Sequence, residues 1–105
     1  MREVNVAVNQ TFDLSVVANG ATRSDFTKVV LTSIEYINDK GDIDVHPITG
    51  SDPTEMGSSE YRLTYVTKLN NQRWGVALSV DNQNKVFVAV DIDSPIRSLT
   101  FTLSK

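Results

Sequence analysis

The chain contains no cysteine, only five glycines and three prolines, and no long apolar run. Without cysteine it has no disulfide framework, no thiol nucleophile and no thiolate metal cage. The scattered glycines leave no glycine-rich loop of the kind that cradles phosphate. No apolar stretch approaches the roughly 18 residues of a membrane-spanning helix. The sequence therefore predicts no membrane span.

Positive charge is also sparse. Ten Lys and Arg residues are scattered among thirteen Asp and Glu residues, and the formal net charge is −3. Nucleic-acid binding needs clustered Lys and Arg to replace condensed counterions, so we expect no nucleic-acid partner. A length of 105 residues matches one ordinary hydrophobic core, and we predict a single domain over residues 1–105.

The sequence does have a two-residue apolar period along most of its length, which is the signal of β-strands. Its fourteen valines, ten threonines and six isoleucines favour a pleated surface. We predict an all-β, antiparallel β-sandwich or flattened barrel of about eight strands. The strands are expected at residues 3–9, 11–18, 27–38, 42–48, 60–68, 73–80, 85–92 and 97–104.

One segment fits two patterns. The apolar residues of 26–34 also match a helical stripe, and Ser24 is a suitable N-cap for it. Its many β-branched residues form helices poorly, and the hairpin that follows needs a strand before it. We predict a strand there, with a helix as the alternative.

The register of one hairpin follows from its apolar residues. Pairing residue 80 with residue 86 places every apolar side chain opposite another, and a slip by one residue destroys that match. The predicted pairs are Val80/Val86, Leu78/Val88, Val76/Val90 and Trp74/Ile92.

Two surfaces are candidates for protein contacts. Ala77, Phe87 and Ala89 lie on the face opposite the predicted core, where a solvated sheet usually carries charged residues. We expect cover there by a partner or by the chain's own segment 47–59. The first strand, with Val4, Val6 and Val8, carries no Lys or Pro guard until Arg2 and Glu3 at its start, and it suits edge-to-edge pairing.

Acidic side chains and the only histidine crowd into "YINDKGDIDVHPI", residues 36–48. The stretch predicts a hairpin whose turn uses Gly41. We expect Asp42, Asp44 and His46 to point outward and Ile43 and Val45 to point inward. The outward three are weak metal candidates, because alternate strand positions lie about 6.6 Å apart. We expect no cofactor.

Two further functions compete with protein docking. A glycan-binding module would stack sugars on Trp74, with Tyr61 and Tyr65 nearby, although Trp74 shares the phase of core residues. A hydrolase would depend on His46, but no serine stands in a glycine-flanked elbow.

The sequence favours a non-catalytic structural or interaction module that docks through β surface into a larger assembly. The partner is expected to be another protein or a second copy. The abundance of Thr, Asn and Ser, together with the absence of cysteine, slightly favours a virion, tail or extracellular surface setting.

Overall fold

The computed structural model describes residues 2–49, 54–55 and 60–105. Within these residues the chain forms strands joined by short turns, one four-residue helix, α1 (Leu14–Val17), and a 3₁₀ turn at Arg23–Asp25. The strands are β1 Arg2–Ala7, β2 Thr11–Asp13, β3 Lys28–Ile37, β4 Ile43–Pro47, β5 Thr54–Glu55, β6 Glu60–Leu69, β7 Gln72–Asp81, β8 Lys85–Val90 and β9 Ile96–Ser104.

The strands form two antiparallel sheets packed face to face. The first sheet has the order β1-β9-β3-β4, and the short β5 also pairs with β3. The second sheet has the order β2-β8-β7-β6. The predicted all-β sandwich is confirmed, and the flattened barrel is excluded because the two sheets stay separate. No helix among the described residues is long and apolar enough to cross a membrane.

The core lies between the sheets and consists almost entirely of aliphatic side chains. Both sheets contribute alternate residues to it, as expected for sandwich strands. Its fully buried members include Val4, Val6, Val29, Leu31, Ile34, Leu78, Val80, Val86, Val88, Leu99, Phe101 and Leu103.

The second predicted strand is wrong beyond residue 13, because the chain turns into α1 there. The Asp13 carboxylate accepts hydrogen bonds from the backbone N–H and the hydroxyl of Ser15. Asp13 is therefore the N-cap of α1, and the ladder with β8 ends at this residue. These bonds hold the pKa of Asp13 below its ordinary value, and Lys85 lowers it further. α1 places Leu14 in the core with no exposed surface.

The ambiguous segment is a strand. β3 runs over Lys28–Ile37 and pairs with β9 along most of its length, with irregularities between Leu31 and Ser33 and between Glu35 and Tyr36. The helical alternative is wrong. The β-branched content of the segment was the correct signal, since such side chains pack well on a pleated sheet.

The β7–β8 hairpin has the predicted register. Val80 lies opposite Val86, Leu78 opposite Val88, and Val76 opposite Val90. The fourth pair is wrong. β8 ends at Val90, a turn follows in which Ser94 N–H donates to the Asp91 carbonyl, and Ile92 is fully exposed.

The β3–β4 hairpin has the predicted turn. Asn38 N–H donates to the Asp42 carbonyl over 2.8 Å, and Gly41 has a φ of +84°. The predicted facing of β4 is wrong. Residues directly opposite each other in an antiparallel pair share a face, and His46 lies opposite the buried Ile34.

The consequence is that Asp44 and His46 face the side of the second sheet, whereas Ile43 and Val45 point to solvent. Ile43 is 58% exposed and Val45 is 55% exposed. The apolar residues of this edge strand lie on the outer face, so their alternation indicated two faces but not which one is buried.

Candidate functional site

The free edge of β1 is the first candidate surface. β1 pairs with β9 on one side, and no described strand lies on its other side. Val8 N–H donates to the Arg97 carbonyl over 3.1 Å. Because antiparallel ladders alternate, the backbone groups of Glu3, Asn5 and Ala7 then point away from β9. Among the described residues no strand pairs with these groups, and the segment after α1 meets the start of β1, where Arg2 donates to the Ala18 and Asn19 carbonyls.

The side chains of β1 are less available than its backbone. Val4 and Val6 are each only 1% exposed, and Val8 packs against the core. On the opposite face, the Asn5 amide nitrogen donates to the Thr100 hydroxyl over 2.9 Å and to the Ser98 hydroxyl over 3.2 Å. Contacts through β1 would therefore use its backbone edge, and the three valines hold that edge in place.

The outer face of the second sheet is the second candidate. Phe87 lies opposite Ser79 and Ala77 lies opposite Ala89, as the sequence predicts. Val66 on β6 lies opposite Gly75, and it is 59% exposed. Phe87 is 39% exposed. The structure thus places Ala77, Phe87 and Ala89 on the outer face of the second sheet, whereas Val4 and Val6 are buried in the first sheet and Val8, just after β1, packs against the core.

A shallow groove of about 340 Å³ runs across this outer face. We call it the outer groove, and its floor is formed by small or aliphatic residues of three adjacent strands: Thr64, Val66, Gly75, Ala77 and Ala89. The described part of segment 47–59 does not cover it in strand form, because Thr54 and Glu55 pair with β3 in the first sheet. The rest of that segment, residues 50–53 and 56–59, lies outside the described residues.

Basic side chains stand at one end of the outer groove. Lys68 and Arg73 lie directly opposite each other on β6 and β7, and both are exposed. Like charges in such positions repel each other, which costs stability within the isolated chain. Asp91 lines the groove on the side of β8. The end of the outer face at Lys68 and Arg73 therefore carries two positive charges.

The acidic hairpin does not bring its weak metal candidates into one cluster. Asp44 and His46 lie on the same side of β4, while Asp42 belongs to the turn. The His46 Nε2 atom lies 3.1 Å from the Thr67 hydroxyl, across the opening between the two sheets. The described residues contain no group of three potential metal ligands.

Tyr36 belongs to the same edge of the sandwich. Its hydroxyl lies 3.5 Å from the Asp44 carboxylate. Partial burial and the negative charge of Asp44 raise the pKa of Tyr36 above its ordinary value. The contact ties Asp44 to β3 and leaves its other oxygen to accept the Val45 N–H.

The aromatic residues proposed for glycan stacking face inward where the structure describes them. Trp74 lies opposite Thr67 on the core side, half-buried, and its indole nitrogen is buried with no hydrogen-bond partner among the described residues. Tyr65 packs against the core. The side chain of Tyr61 lies outside the described residues. A stacking platform needs an exposed ring face, so this arrangement gives little support to glycan binding.

A polar cleft of about 520 Å³ lies beside the two hairpin turns, lined by Tyr36, Asn38, Asp39, Lys40, Lys68, Asn70 and Asn71. Two of its amides already have structural partners. The Asn38 side-chain oxygen accepts from the backbone N–H groups of Lys40 and Asp42, and the Asn70 amide nitrogen donates to the Ile37 carbonyl. These bonds connect the two turns and leave those groups less available to a ligand.

Sequence reasoning missed the part that β6 plays in the outer groove. A signal for it was present. That signal is the pair Asn70-Asn71, because asparagine tolerates the positive φ that a two-residue hairpin turn requires. Both residues have positive φ in the structure. Centring the β6–β7 pairing on these two residues would have placed Val66 opposite Gly75 and Lys68 opposite Arg73.

Comparison with known proteins adds no identification. No protein-family model, no curated protein and no solved structure matches this chain.

Proposed function

We propose that the protein is a non-catalytic interaction module that docks into a larger assembly through the free backbone edge of β1. The observation that carries this proposal is the unguarded state of that edge. From Val4 to Ala7, β1 has no Lys, no Pro and no register shift in its pairing with β9. Natural proteins usually protect exposed edges with such features, because an open edge recruits another strand.

The other sheet edges are protected, which distinguishes β1 from them. β2 is only three residues long and is followed at once by α1. β4 ends at Pro47, which has no backbone N–H to donate. β6 is ten residues long and carries Arg62 and Lys68. Short length, proline and charge are recognised guards against strand addition; β1 carries charge only at its first two residues, Arg2 and Glu3, and has none of these guards between Val4 and Ala7.

Strand addition at β1 would extend the first sheet. The row of outward N–H and C=O groups would supply main-chain hydrogen bonds to the incoming strand. The buried Val4 and Val6 would keep β1 rigid, so this chain would lose little conformational entropy when the incoming strand binds. Such a contact suits a subunit of a shell, tube or surface structure, in which a strand of a neighbouring protein is added at the same edge of each copy.

The test is Ala7→Pro. The Ala7 N–H points away from β9, so a proline removes an outward donor and leaves the ladder with β9 intact. We expect the variant to fold and to lose binding of the protein that adds a strand at β1. Ala7→Val is the matched control, since it adds bulk and keeps the N–H.

Circular dichroism melting checks the fold of both variants. Light scattering then compares the mass that each variant and the unmodified chain gain when proteins encoded beside the chain are added. An equal gain by all three chains, or no gain by any of them, would contradict the proposal.

A further inference from the structure

The β3–β4 hairpin exposes a second apolar patch, on the sheet that does not carry the outer groove. We call it the hairpin patch, and it consists of Ile37, Ile43 and Val45 on the outer face of the first sheet. Ile43 and Val45 are more than half exposed, and Ile37 lies directly opposite Ile43. A cluster of exposed aliphatic side chains on an edge strand marks a contact surface.

Acidic residues border the hairpin patch. Glu35 lies directly opposite Val45 on the same face, and the exposed Asp39 and Asp42 lie in the adjoining turn. The same turn has a single lysine, Lys40. The hairpin therefore presents an aliphatic surface with a negative border.

The outer groove presents the complementary surface. Its floor is small or aliphatic, and beyond Val66 and Gly75 the next pair on the same face is Lys68 and Arg73, which lie opposite each other on adjacent strands. An acidic border placed against that pair would relieve the repulsion between these two side chains. Complementary charge around two apolar patches fixes orientation and favours encounter between them.

We propose that the hairpin patch of one copy seats in the outer groove of a second copy. This inference rests on the proposed function, since it names a second copy of the chain as a partner of the docking module. Ile43 and Val45 would fill the groove beside Val66, and the acidic turn would meet Lys68 and Arg73.

The positions of the two patches decide the kind of assembly. They lie on the outer faces of opposite sheets, so a molecule cannot join its own patches. Each copy instead offers its hairpin patch to one neighbour and its outer groove to another. Such a head-to-tail contact generates a ring when the rotation closes and a filament when it does not.

The experiment uses two exposed valines, one in each surface. Val45→Lys places a positive charge in the hairpin patch, and Val66→Lys places one in the outer groove. Both side chains are more than half exposed, so both variants should fold. Val16→Lys is the matched control, because Val16 is 75% exposed and lies on α1, outside both surfaces.

Sedimentation velocity over a range of protein concentrations measures the assembly. The unmodified chain and Val16→Lys should form species larger than a dimer, and added salt should shrink them because the contact includes charge. Val45→Lys alone and Val66→Lys alone should stay monomeric. An equimolar mixture of these two should form a dimer. The hairpin patch of Val66→Lys is intact and can seat in the intact outer groove of Val45→Lys, and the other two surfaces are blocked.

The remaining outcomes would overturn the inference. A monomeric unmodified chain excludes the second copy as partner and leaves docking at β1 to a different protein. Association that survives both lysine variants but is lost in Ala7→Pro assigns self-association to the β1 edge, which contradicts this inference and supports the proposed function. A mixture that stays monomeric while the unmodified chain associates excludes the head-to-tail contact.

Discussion

The β7–β8 and β3–β4 hairpins have similar alternation but opposite surroundings. β7 and β8 each have a neighbour on both sides, and their valines and Leu78 fill the space between the sheets. β4 has β3 on one side only, and its aliphatic residues Ile43 and Val45 point to solvent. Alternation shows that a strand has two different faces. The neighbouring strands and the opposite sheet decide which face is buried.

The largest expected effect is at the centre of the β7–β8 hairpin. Leu78 is 1% exposed and lies opposite Val88 and Leu63. Leu78→Ala should reduce the free energy of unfolding by about 2–5 kcal/mol, because it removes buried methyl groups and leaves a cavity. Urea denaturation measures this loss. A loss under about 1 kcal/mol would place Leu78 outside the core and remove the contrast between the hairpins.

A smaller loss is expected at the turn of the β3–β4 hairpin. Gly41 has a φ of +84°, and a Cβ added there meets no atom within 4 Å. Gly41→Ala should therefore cost about 1–2 kcal/mol from backbone conformation alone. Gly41→Asn is the control, because asparagine adopts positive φ more readily and should lose less. Thermal melting of both variants tests the ranking, and equal losses would point to a cause other than φ.

The β7–β8 hairpin is also held through β2, where Asp13 lies 3.3 Å from the Lys85 ammonium. Hydrogen bonds from Ser15 lower the pKa of Asp13, so the folded state binds its proton less tightly than the unfolded chain. The contribution of this carboxylate is then fully present above about pH 4 and is lost as the pH falls through its lowered pKa.

Asp13→Asn should lower the melting temperature at pH 7 and should lose that difference toward pH 2. Melting curves at intervals of pH measure the trend. Ser15→Ala removes one donor to the same carboxylate and should reproduce part of the effect. A difference between Asp13→Asn and the unmodified chain that stays constant down to pH 2 would assign the loss to packing.

The smallest effect is expected on the outer face of β4. Val45→Thr should change the free energy of unfolding by no more than about 0.5 kcal/mol, because this side chain is mostly in solvent. A loss of more than about 1 kcal/mol in urea denaturation would mean that Val45 is buried. The inward orientation that the sequence predicts for Val45 would then be correct.

The sequence was sufficient where apolar residues of neighbouring strands could match each other. Val76, Leu78 and Val80 select one register against Val86, Val88 and Val90, and the structure has it. The prediction failed at Ile92 because a turn at Asp91–Ser94 redirects the chain. It also failed at residues 14–17, where the Asp13 cap outweighs the strand pattern.

Of the candidate surfaces, the sequence identified the small and apolar face of Ala77, Phe87 and Ala89, as well as the unguarded first strand. It did not identify the hairpin patch, because Ile43 and Val45 were assigned to the core. It also missed that Lys68 lies opposite Arg73. That pair follows only when the β6–β7 register is counted outward from a two-residue turn at Asn70 and Asn71.

By itself, the sequence determined the two-residue period, the β-branched strands, the Gly41 turn and the β7–β8 register. These depend on local sterics and on matching between segments that are close in the chain. Only the tertiary structure decided that β1 and β4 are edges, that β4 turns its valine and isoleucine outward, and that the hairpin patch and the outer groove lie on opposite sheets. Strand order and facing arise from contacts between segments far apart in the chain, such as β1 with β9, and no local pattern encodes those contacts.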